Sequence, residues 1–329
     1  MKLGTLELVN RYILAPMQNV TTAPYRRFCR KFQEIGLVSV PMLYTKRITK
    51  NPKFLEHILY KIEEERPISI QLIGSDIGAL RKSIDYLESY NFDILDINAG
   101  CPSRRAIHAK EGGYLMKDLR KLNELLQAVV KKSSKPVSLK IRTGFEKPMN
   151  IDEVSTLINN SGISLLTIHA RTVKSNFLND ALDLNTVKKL KERINIPLVG
   201  NGDITTPLSA KHFIDYTKVD AFMVGRETMG NPVIFQQIHD YLTKGINITF
   251  KNSLALVRNY INIYEDIVNN LLNEITYPFG NDEFKFNELK RNSIWLMKNI
   301  RNSTKIRTQL SKTKNLIQLK ASLKEIFNS

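Results

Sequence analysis

Short apolar runs alternate with amphipathic segments over roughly the first 240 residues of the chain. The runs have the length of buried strands, and the segments between them, such as Ile77–Ser89 and Leu119–Lys131, carry apolar residues at helical spacing. Eight such units in a stretch of this length are typical of a (β/α)8 or TIM barrel. The predicted strands are Tyr12–Ala15, Leu37–Pro41, Ile68–Leu72, Ile94–Asn98, Val137–Ile141, Leu165–His169, Pro197–Gly200 and Ala221–Val224.

An open, doubly wound parallel sheet is the competing fold for a chain in which strands and helices alternate. Such a sheet usually has fewer strands, and a glycine-rich phosphate-binding turn follows its first strand. The residues after Tyr12–Ala15 contain no such turn. The pattern therefore favours an α/β barrel.

The pattern becomes purely helical towards the end of the chain. Ser253–Asn273 places apolar residues along one helical face, and Asn287–Asn302 and Thr313–Phe327 are also helical. Tyr277–Glu283 contains a proline and a glycine and is predicted to be an inter-helix loop. The sequence thus predicts that a small helical bundle follows the barrel.

Composition agrees with a barrel and a smaller companion, since 42% of the 329 residues are hydrophobic. We predict a TIM-barrel catalytic domain over residues 1–245 and a helical domain over residues 246–329. Two cysteines give no disulfide framework, and no stretch has the length and apolarity of a membrane span. We therefore expect a cytoplasmic protein that does not associate with membranes, and no obligatory protein partner is evident.

The chain is strongly basic, with 49 Lys and Arg against 32 Asp and Glu and a formal net charge of +17. Such a charge attracts polyanions, and RNA is the obvious candidate in a protein that is not secreted. The alternative is that the basic residues only keep the surface solvated.

The most informative motif is the run from Asn98 to Arg105, which includes Gly100-Cys101-Pro102 and follows the strand Ile94–Asn98. The carboxyl ends of barrel strands are where α/β barrels place their chemistry, although a lone cysteine there is often a buried thiol in a tight turn. Other polar motifs at predicted strand ends favour the functional interpretation. They are Ala15-Pro16-Met17, Gln71-Leu72, Lys140-Ile141-Arg142, His169-Ala170-Arg171-Thr172, Gly200-Asn201-Gly202-Asp203 and Gly225-Arg226.

Together these motifs resemble the tRNA-dihydrouridine synthases, FMN enzymes that reduce uridine in tRNA. The resemblance extends from about residue 4 to about residue 240. It implies FMN as cofactor, NADPH or NADH as electron donor and tRNA as substrate. Two departures leave the target uridine and the subfamily open: Gln18 and Asn19 replace the usual small residues, and the glycine-rich turn after the cysteine is reduced to Gly112-Gly113.

The resemblance also assigns the cofactor site. The loops after strands seven and eight of a barrel commonly bind a phosphate, and the motifs Gly200–Asp203 and Gly225-Arg226 follow these two strands. Glycine lets the backbone come close to an anion, and the Arg226 guanidinium matches phosphate oxygens. Asn201-Gly202 alone is typical of an ordinary turn. Lys140 would lie near the negative charge of a reduced flavin, the alternative being a plain salt bridge across the barrel. The expected FMN contacts are Pro16, Met17, Gln18, Gln71, Lys140, His169, Asn201, Gly202, Asp203, Gly225 and Arg226.

Cys101 is the expected catalytic residue. When hydride reaches C6 of uracil, C5 must receive a proton, and a free thiol is mostly protonated at neutral pH. No second cysteine or histidine stands at metal-binding spacing, so no metal site is expected. The expected substrate contacts are Asn98, Arg104, Arg105 and Arg171. Base flipping of the target uridine is implied.

The helical tail is basic, and the resemblance makes it a candidate tRNA-binding domain. A charged helix face is by itself usually just solvated. Its closely spaced basic residues are Lys290, Arg291, Lys298, Arg301, Lys305 and Arg307.

Two other functions compete with the first. An FMN barrel that reduces a small molecule, such as a dihydroorotate dehydrogenase, explains neither the net charge nor the basic tail. An RNA-binding protein on a decayed barrel is disfavoured by the presence of Cys101, Lys140, His169 and Arg226. Cys29 is predicted to pack in the core. The basic residues on the remaining face of its helix could touch RNA, although solvation explains them equally well: Arg26, Arg27, Arg30 and Lys31.

Overall fold

The computed structural model describes residues 2–3, 6–178, 181–248, 253–298 and 300–328. The strands are β1 Lys2–Leu3, β2 Leu6–Glu7, β3 Tyr12–Leu14, β4 Val38–Ser39, β5 Leu43–Tyr44, β6 Ile68–Ile73, β7 Ile94–Asn98, β8 Val137–Arg142, β9 Leu165–His169, β10 Leu198–Asn201 and β11 Ala221–Val224. The helices are α1 Ala23–Arg30, α2 Thr45–Lys50, α3 Phe54–Ile58, α4 Ile77–Leu87, α5 Arg104–His108, α6 Leu119–Lys132, α7 Ile151–Asn160, α8 Leu184–Lys191, α9 Pro207–Thr217, α10 Ile234–Lys244, α11 Leu254–Leu272, α12 Asn281–Leu296, α13 Ser303–Ser311 and α14 Leu316–Asn328.

Within the described ranges, eight parallel strands form a nearly closed barrel, in the order β3-β11-β10-β9-β8-β7-β6-β4. The remaining seam lies between β3 and β4, where Ile13 pairs with Leu37 in parallel and the Leu14 amide donates to the Leu37 carbonyl at 2.9 Å. Strand β5 also pairs with β6. The predicted TIM barrel with a C-terminal helical region is therefore confirmed.

The main differences from the predicted strands occur in very short elements. Strand β4 is shorter than the predicted Leu37–Pro41, although the Val40 amide still donates to the Ser69 carbonyl at 2.9 Å. Proline has no amide hydrogen, so the strand pairing cannot continue through Pro41. Strands β1, β2 and β5 were not predicted, because two residues are too few to show an alternating pattern.

One end of the barrel interior is apolar. A buried cluster joins residues from five strands with three residues that flank strands: Leu8, Ile13, Ala15, Leu37, Ile94, Leu165, Val199, Ala221 and Met223. Because side chains alternate along a strand, Asp96 and Asn98 lie on the same inner face as Ile94, closer to the carboxyl end of β7. The interior therefore changes from apolar to polar along the direction of the strands.

The chain divides into two compact units. One comprises Met1–Ala23 with Glu34–Gly225, and the other comprises Pro24–Gln33 with Arg226–Ser329. The unit boundary at Gly225 differs from the domain boundary at residue 245 that the sequence suggests, and the functional division at 245 stays a prediction.

The second unit has an aromatic core. The ring of Phe28 lies 5.2 Å from those of Phe32 and Tyr264 in edge-to-face geometry, and the Tyr25 hydroxyl bonds the Thr228 hydroxyl at 2.9 Å. Cys29 is buried beside these residues, as predicted. Arg26 is 0% exposed, so the suggestion that it faces RNA is wrong.

Helix boundaries in this unit also differ from the prediction. The loop before helix α12 ends at Gly280, which has φ 92°, and the helix begins at Asn281. The predicted loop, which extends to Glu283, is therefore three residues too long. The predicted helix Asn287–Asn302 is too long: α12 ends at Leu296, and α13 begins only at Ser303, after Asn302, which has left-handed backbone.

Two of the predicted RNA-facing basic residues are engaged inside the second unit. Lys290 donates to the Thr313 carbonyl at 2.6 Å, and Arg291 is paired with the buried Glu288. Among the helices that the structure describes, none is both long and apolar enough to cross a membrane. The cytoplasmic location stays a prediction.

Burial distinguishes the two thiols and leads to a test of this core. Burial raises the pKa of Cys29 to about 12, so its thiol stays neutral at about pH 8 and is sterically enclosed. Cys101 is partly exposed. Iodoacetamide should therefore modify Cys101 in the folded protein and leave Cys29 unmodified, as measured by peptide mass spectrometry. Modification of both thiols in urea is the control, and rapid native modification of Cys29 would contradict the packing.

Candidate active site

The Cys101 turn is held by hydrogen bonds on both sides of the chain. The Asn98 side-chain oxygen accepts from the Gly100 amide at 3.0 Å and from the Cys101 amide at 2.9 Å. The Cys101 carbonyl accepts from the Gly113 amide at 3.0 Å. A Cβ atom on Gly113 would lie 2.8 Å from that carbonyl oxygen, so only glycine permits this approach. The short Gly112-Gly113 pair thus packs directly against the turn.

The Cys101 thiol is partly exposed and donates to the Ser103 hydroxyl at 3.3 Å. Ser103 is the N-cap of helix α5, where its hydroxyl accepts from the Ala106 amide at 3.2 Å. The helix cap therefore holds the Ser103 hydroxyl in place, and this hydroxyl accepts the Cys101 S–H.

A row of buried polar side chains leads from Asn98 into the barrel. The Asn98 amide nitrogen donates to the Gln71 oxygen at 2.8 Å, and the Gln71 nitrogen donates to Asp96 at 2.6 Å. The Ser138 hydroxyl donates to the other Asp96 oxygen at 2.6 Å. Strand register explains the contacts, because Asp96 pairs with Gln71 on one side and with Ser138 on the other. Burial raises the pKa of Asp96, and these hydrogen bonds and Lys140 oppose that shift.

Lys140 lies on the same inner face of β8 as Ser138, two residues further towards the carboxyl end. Its ammonium donates to the Asn201 side-chain oxygen at 3.4 Å. Burial, and then the Arg142 guanidinium, lower the pKa of Lys140 to about 8, while Asp96 and Cys101 act in the opposite direction. The ammonium therefore remains mostly charged at neutral pH.

Lys140 has few partners for an ammonium. Of the residues described, only Asn201 accepts a hydrogen bond from it, and no carboxylate lies within ion-pair distance. An ammonium has three donors, so Lys140 can bind a further acceptor. The predicted alternative, a plain salt bridge across the barrel, does not occur among these residues.

Arg142 has a structural role that the sequence analysis missed. Its guanidinium donates to the carbonyls of Gly100 at 2.9 Å, Thr172 at 2.9 Å and Asn176 at 2.6 Å. These bonds join the Cys101 turn to the loop after β9. The alternation of Lys140 and Arg142 along one strand was the available signal, since it places both side chains on the inner face.

Arg171 is 0% exposed and is bound on two sides. Its guanidinium forms a two-point ion pair with Asp203, with one N–O distance of 3.0 Å, and donates to the Leu178 carbonyl at 2.7 Å. The pair fastens the loop after β9 to the loop after β10. Its assignment as a substrate contact stays a prediction.

The predicted phosphate loops have unusual backbone geometry. Gly202 has φ 132° and Asp203 has φ 45°. The Asn201 side-chain nitrogen donates to the Met223 carbonyl at 2.8 Å and so fixes the start of this loop. A Cβ atom on Gly225 would lie 3.3 Å from the Ala15 Cβ and 3.5 Å from the Met17 sulfur. A Cβ atom on Gly202 would lie 3.0 Å from the Leu182 Cδ1 atom, so a side chain at either glycine would meet neighbouring protein atoms.

The other predicted site residues lie as follows. His169 is buried, and its ring meets the Phe177 ring edge-on at 6.1 Å. Pro16 and Met17 are half-buried, and Gln18 is exposed. Arg104 and Arg105 are exposed on α5, with the Arg105 guanidinium 4.1 Å above the Tyr44 ring. Arg226 is exposed and belongs to the second compact unit.

Asp96 also has a role that was not predicted from the sequence. The only signal was one carboxylate within the otherwise apolar run Ile94–Ile97. Strand register then shows that this carboxylate lies between Gln71 and Ser138, the two residues that it binds.

The site lies in a parallel α/β barrel, and solved structures with the same fold resemble the chain. The chain resembles morphinone reductase in fold, with a TM-score of 0.54 and 13% identity, over 78% of this chain and 91% of that one. It resembles histamine dehydrogenase from Rhizobium sp. 4-9, with a TM-score of 0.56 and 12% identity, over 81% of this chain and 50% of that one. At such identities the likeness concerns the fold alone.

Closer relatives identify the family. The chain is 35% identical to tRNA-dihydrouridine synthase B of Vibrio parahaemolyticus over 247 residues, 74% of this chain and 76% of that protein. It is 33% identical to the Escherichia coli protein of the same name over 246 residues, 74% of this chain and 76% of that protein. The dihydrouridine synthase family model matches residues 13–329. The chain belongs to the dihydrouridine synthase family and is an oxidoreductase.

The buried ion pair gives a prediction that separates structural from substrate-binding arginines. Replacing Arg171 by Met should lower the free energy of unfolding by about 3 kcal/mol, because it leaves Asp203 and the Leu178 carbonyl without their buried partner. Arg104→Met removes an exposed charge and should change it by less than about 0.5 kcal/mol. Urea unfolding measures both, and equal losses in the two variants would contradict the assignment.

Proposed function

We propose that this protein binds FMN at the barrel mouth and reduces specific uridines of tRNA to dihydrouridine, with NADPH or NADH as electron donor and Cys101 as proton donor. The observation that carries the proposal is the partly exposed Cys101 thiol in a hydrogen-bonded turn, beside a barrel interior that holds the Lys140 ammonium. Membership of the dihydrouridine synthase family supports it.

The residues present fit a phosphorylated flavin. Gly202 and Gly225 stand on the two loops where barrels commonly bind phosphate. Arg226 follows Gly225 in the chain and has the forked donor geometry that phosphate oxygens match. Lys140 supplies an ammonium with donors to spare. The donor set suits a group with a phosphate at one end and developing negative charge at the other.

When bound, reduced FMN supplies a hydride for C6 of the uracil ring. The residues of this chain supply the remaining proton: the Cys101 S–H transfers it to C5, which completes reduction of the C5–C6 double bond. Asn98 holds the backbone on which Cys101 stands, since its oxygen binds two amides of the turn. Lys140 stabilises negative charge in the site.

The surface around Cys101 suits a nucleic acid. Arg104 and Arg105 are exposed directly after the thiol, on helix α5, where they can contact phosphates on either side of a flipped nucleotide. Arg105 lies over Tyr44, which keeps its guanidinium near the mouth. The net charge of +17 supplies a long-range attraction to tRNA that a small substrate does not require.

Incubation of the purified protein with FMN, NADPH and a tRNA transcript that contains no modified bases tests the function. Mass spectrometry of nuclease fragments should show the gain of two hydrogens at particular uridines. A protein that binds flavin and oxidises NADPH with a small enone or orotate, but leaves all tRNA uridines unchanged, would support the small-molecule alternative and overturn the proposal.

The role of Cys101 predicts a selective defect. Cys101→Ala should retain flavin and tRNA binding, while oxidation of the pre-reduced enzyme by tRNA slows by about 10²–10⁴-fold, the usual contribution of a positioned general acid. Reduction of the flavin by NADPH should be almost unchanged, because it does not use this proton. Stopped-flow absorbance measures both steps. Cys29→Ala is the matched control, and a wild-type rate in Cys101→Ala would exclude Cys101 as the acid.

The lowered pKa of Lys140 predicts a pH dependence of flavin binding. The ammonium loses its proton as pH rises through about 8, so FMN affinity should fall above that pH, by at most about tenfold per unit. Binding of an anion favours the charged form, so the midpoint in the complex should be higher. Lys140→Arg remains charged and should show no such decline. Quenching of FMN fluorescence measures affinity, and equal slopes in the two proteins would contradict the assignment.

A further inference from the structure

The polar side chains beneath the Cys101 turn form a hydrogen-bond chain with one direction. At the turn, two backbone amides can only donate, so Asn98 must present its oxygen to them. Its nitrogen then faces the oxygen of Gln71 at 2.8 Å, and the nitrogen of Gln71 faces Asp96. The Asp96 oxygen accepts this hydrogen bond. The turn at one end and the Asp96 oxygen at the other therefore require the same orientation of the Asn98 and Gln71 side-chain amides.

Asp96 is a terminal acceptor that touches neither the turn nor the thiol. It is buried, and both of its oxygens receive hydrogen bonds at 2.6 Å, one from Gln71 and one from Ser138. Without it, the buried Gln71 nitrogen would lose its acceptor, and the Gln71 oxygen would no longer be held towards Asn98. Leaving a buried donor unpaired is costly, so Gln71 and then Asn98 would move to find other partners.

We propose that Asp96 is a positioning residue, which orients Gln71 and through it Asn98, and so holds the Gly100-Cys101 turn in its reactive conformation. The functional part of this inference rests on the proposed role of Cys101 as proton donor. The structural part concerns the turn alone and can be measured without flavin or tRNA.

Amide hydrogen exchange at Gly100 and Cys101, in the full chain without ligands, tests the structural part. Asp96→Leu should accelerate exchange of these two amides by about tenfold, the loss expected when the Asn98 acceptor is no longer fixed. Ser138→Ala is the matched control, because it removes the other hydrogen bond to the same carboxylate and leaves Gln71 in place. Its exchange should stay within about twofold of wild type. Exchange in strand β9 serves as the internal reference.

Swapping the carboxylate and the amide between positions 96 and 71 gives a sharper test, which does not depend on whether Asp96→Leu folds. Gln71→Glu alone sets two carboxylates against each other and should accelerate exchange at the turn. Adding Asp96→Asn to Gln71→Glu restores every donor–acceptor contact: the new amide donates to the new carboxylate, Ser138 still donates, and Asn98 still has an acceptor. The double variant should therefore return to within about twofold of wild-type exchange.

The inference would be overturned if Asp96→Leu exchanged the Gly100 and Cys101 amides at the wild-type rate, or if Ser138→Ala accelerated this exchange equally. It would also be overturned if the double variant exchanged these amides as fast as Gln71→Glu does, or did not fold. The functional part is measured separately. Asp96→Leu should slow single-turnover reduction of tRNA about tenfold while tRNA affinity stays unchanged. Normal turnover in a variant with accelerated exchange would reject that part. Absence of dihydrouridine formation by the wild-type protein would reject the proposed function and leave the exchange result standing.

Discussion

The burial of a carboxylate and an ammonium inside one barrel is the constraint on which the site depends. Asp96 and Lys140 lie on neighbouring strands, and burial raises the pKa of the first and lowers the pKa of the second. Each charge opposes the pKa shift of the other. The hydrogen bonds from Gln71 and Ser138 complete the solvation that water would otherwise provide. The hydrogen bond from Gln71 also connects Asp96 to the Cys101 turn.

Two buried guanidinium groups extend this order to the loops. The segments that follow β7, β9 and β10 are irregular, and their carbonyls cannot all be satisfied by a strand ladder. Arg142 donates to three such carbonyls, including that of Gly100, and Arg171 binds Asp203 and the Leu178 carbonyl. A planar fork with five donors suits this role better than an ammonium. Lys140, with one amide acceptor described at 3.4 Å, keeps donors for a ligand.

Much of the fold could be predicted from the sequence, because a parallel barrel needs short apolar runs at regular spacing, and strands such as Ile94–Asn98 and Leu165–His169 have the predicted bounds. The roles of the polar residues could not, since they depend on register between strands distant in sequence. Asp96 meets Gln71 and Ser138 only because β6, β7 and β8 pair as they do. Arg171 looks like a residue at an open strand end, yet its carboxylate partner lies 32 residues further along the chain.

The two cysteines show how environment rather than residue type determines chemistry. Cys29 lies among aromatic rings of the second unit, where burial raises the pKa of its thiol to about 12 and excludes reactants. Cys101 stands on a turn whose amide and carbonyl are both occupied, so the backbone cannot move freely, while the sulfur stays partly exposed. The proposed role of Cys101 as a general acid requires both properties, since the proton must be accessible and must remain at a fixed position. Gly113 permits the fixed position, because any side chain there would displace the Cys101 carbonyl.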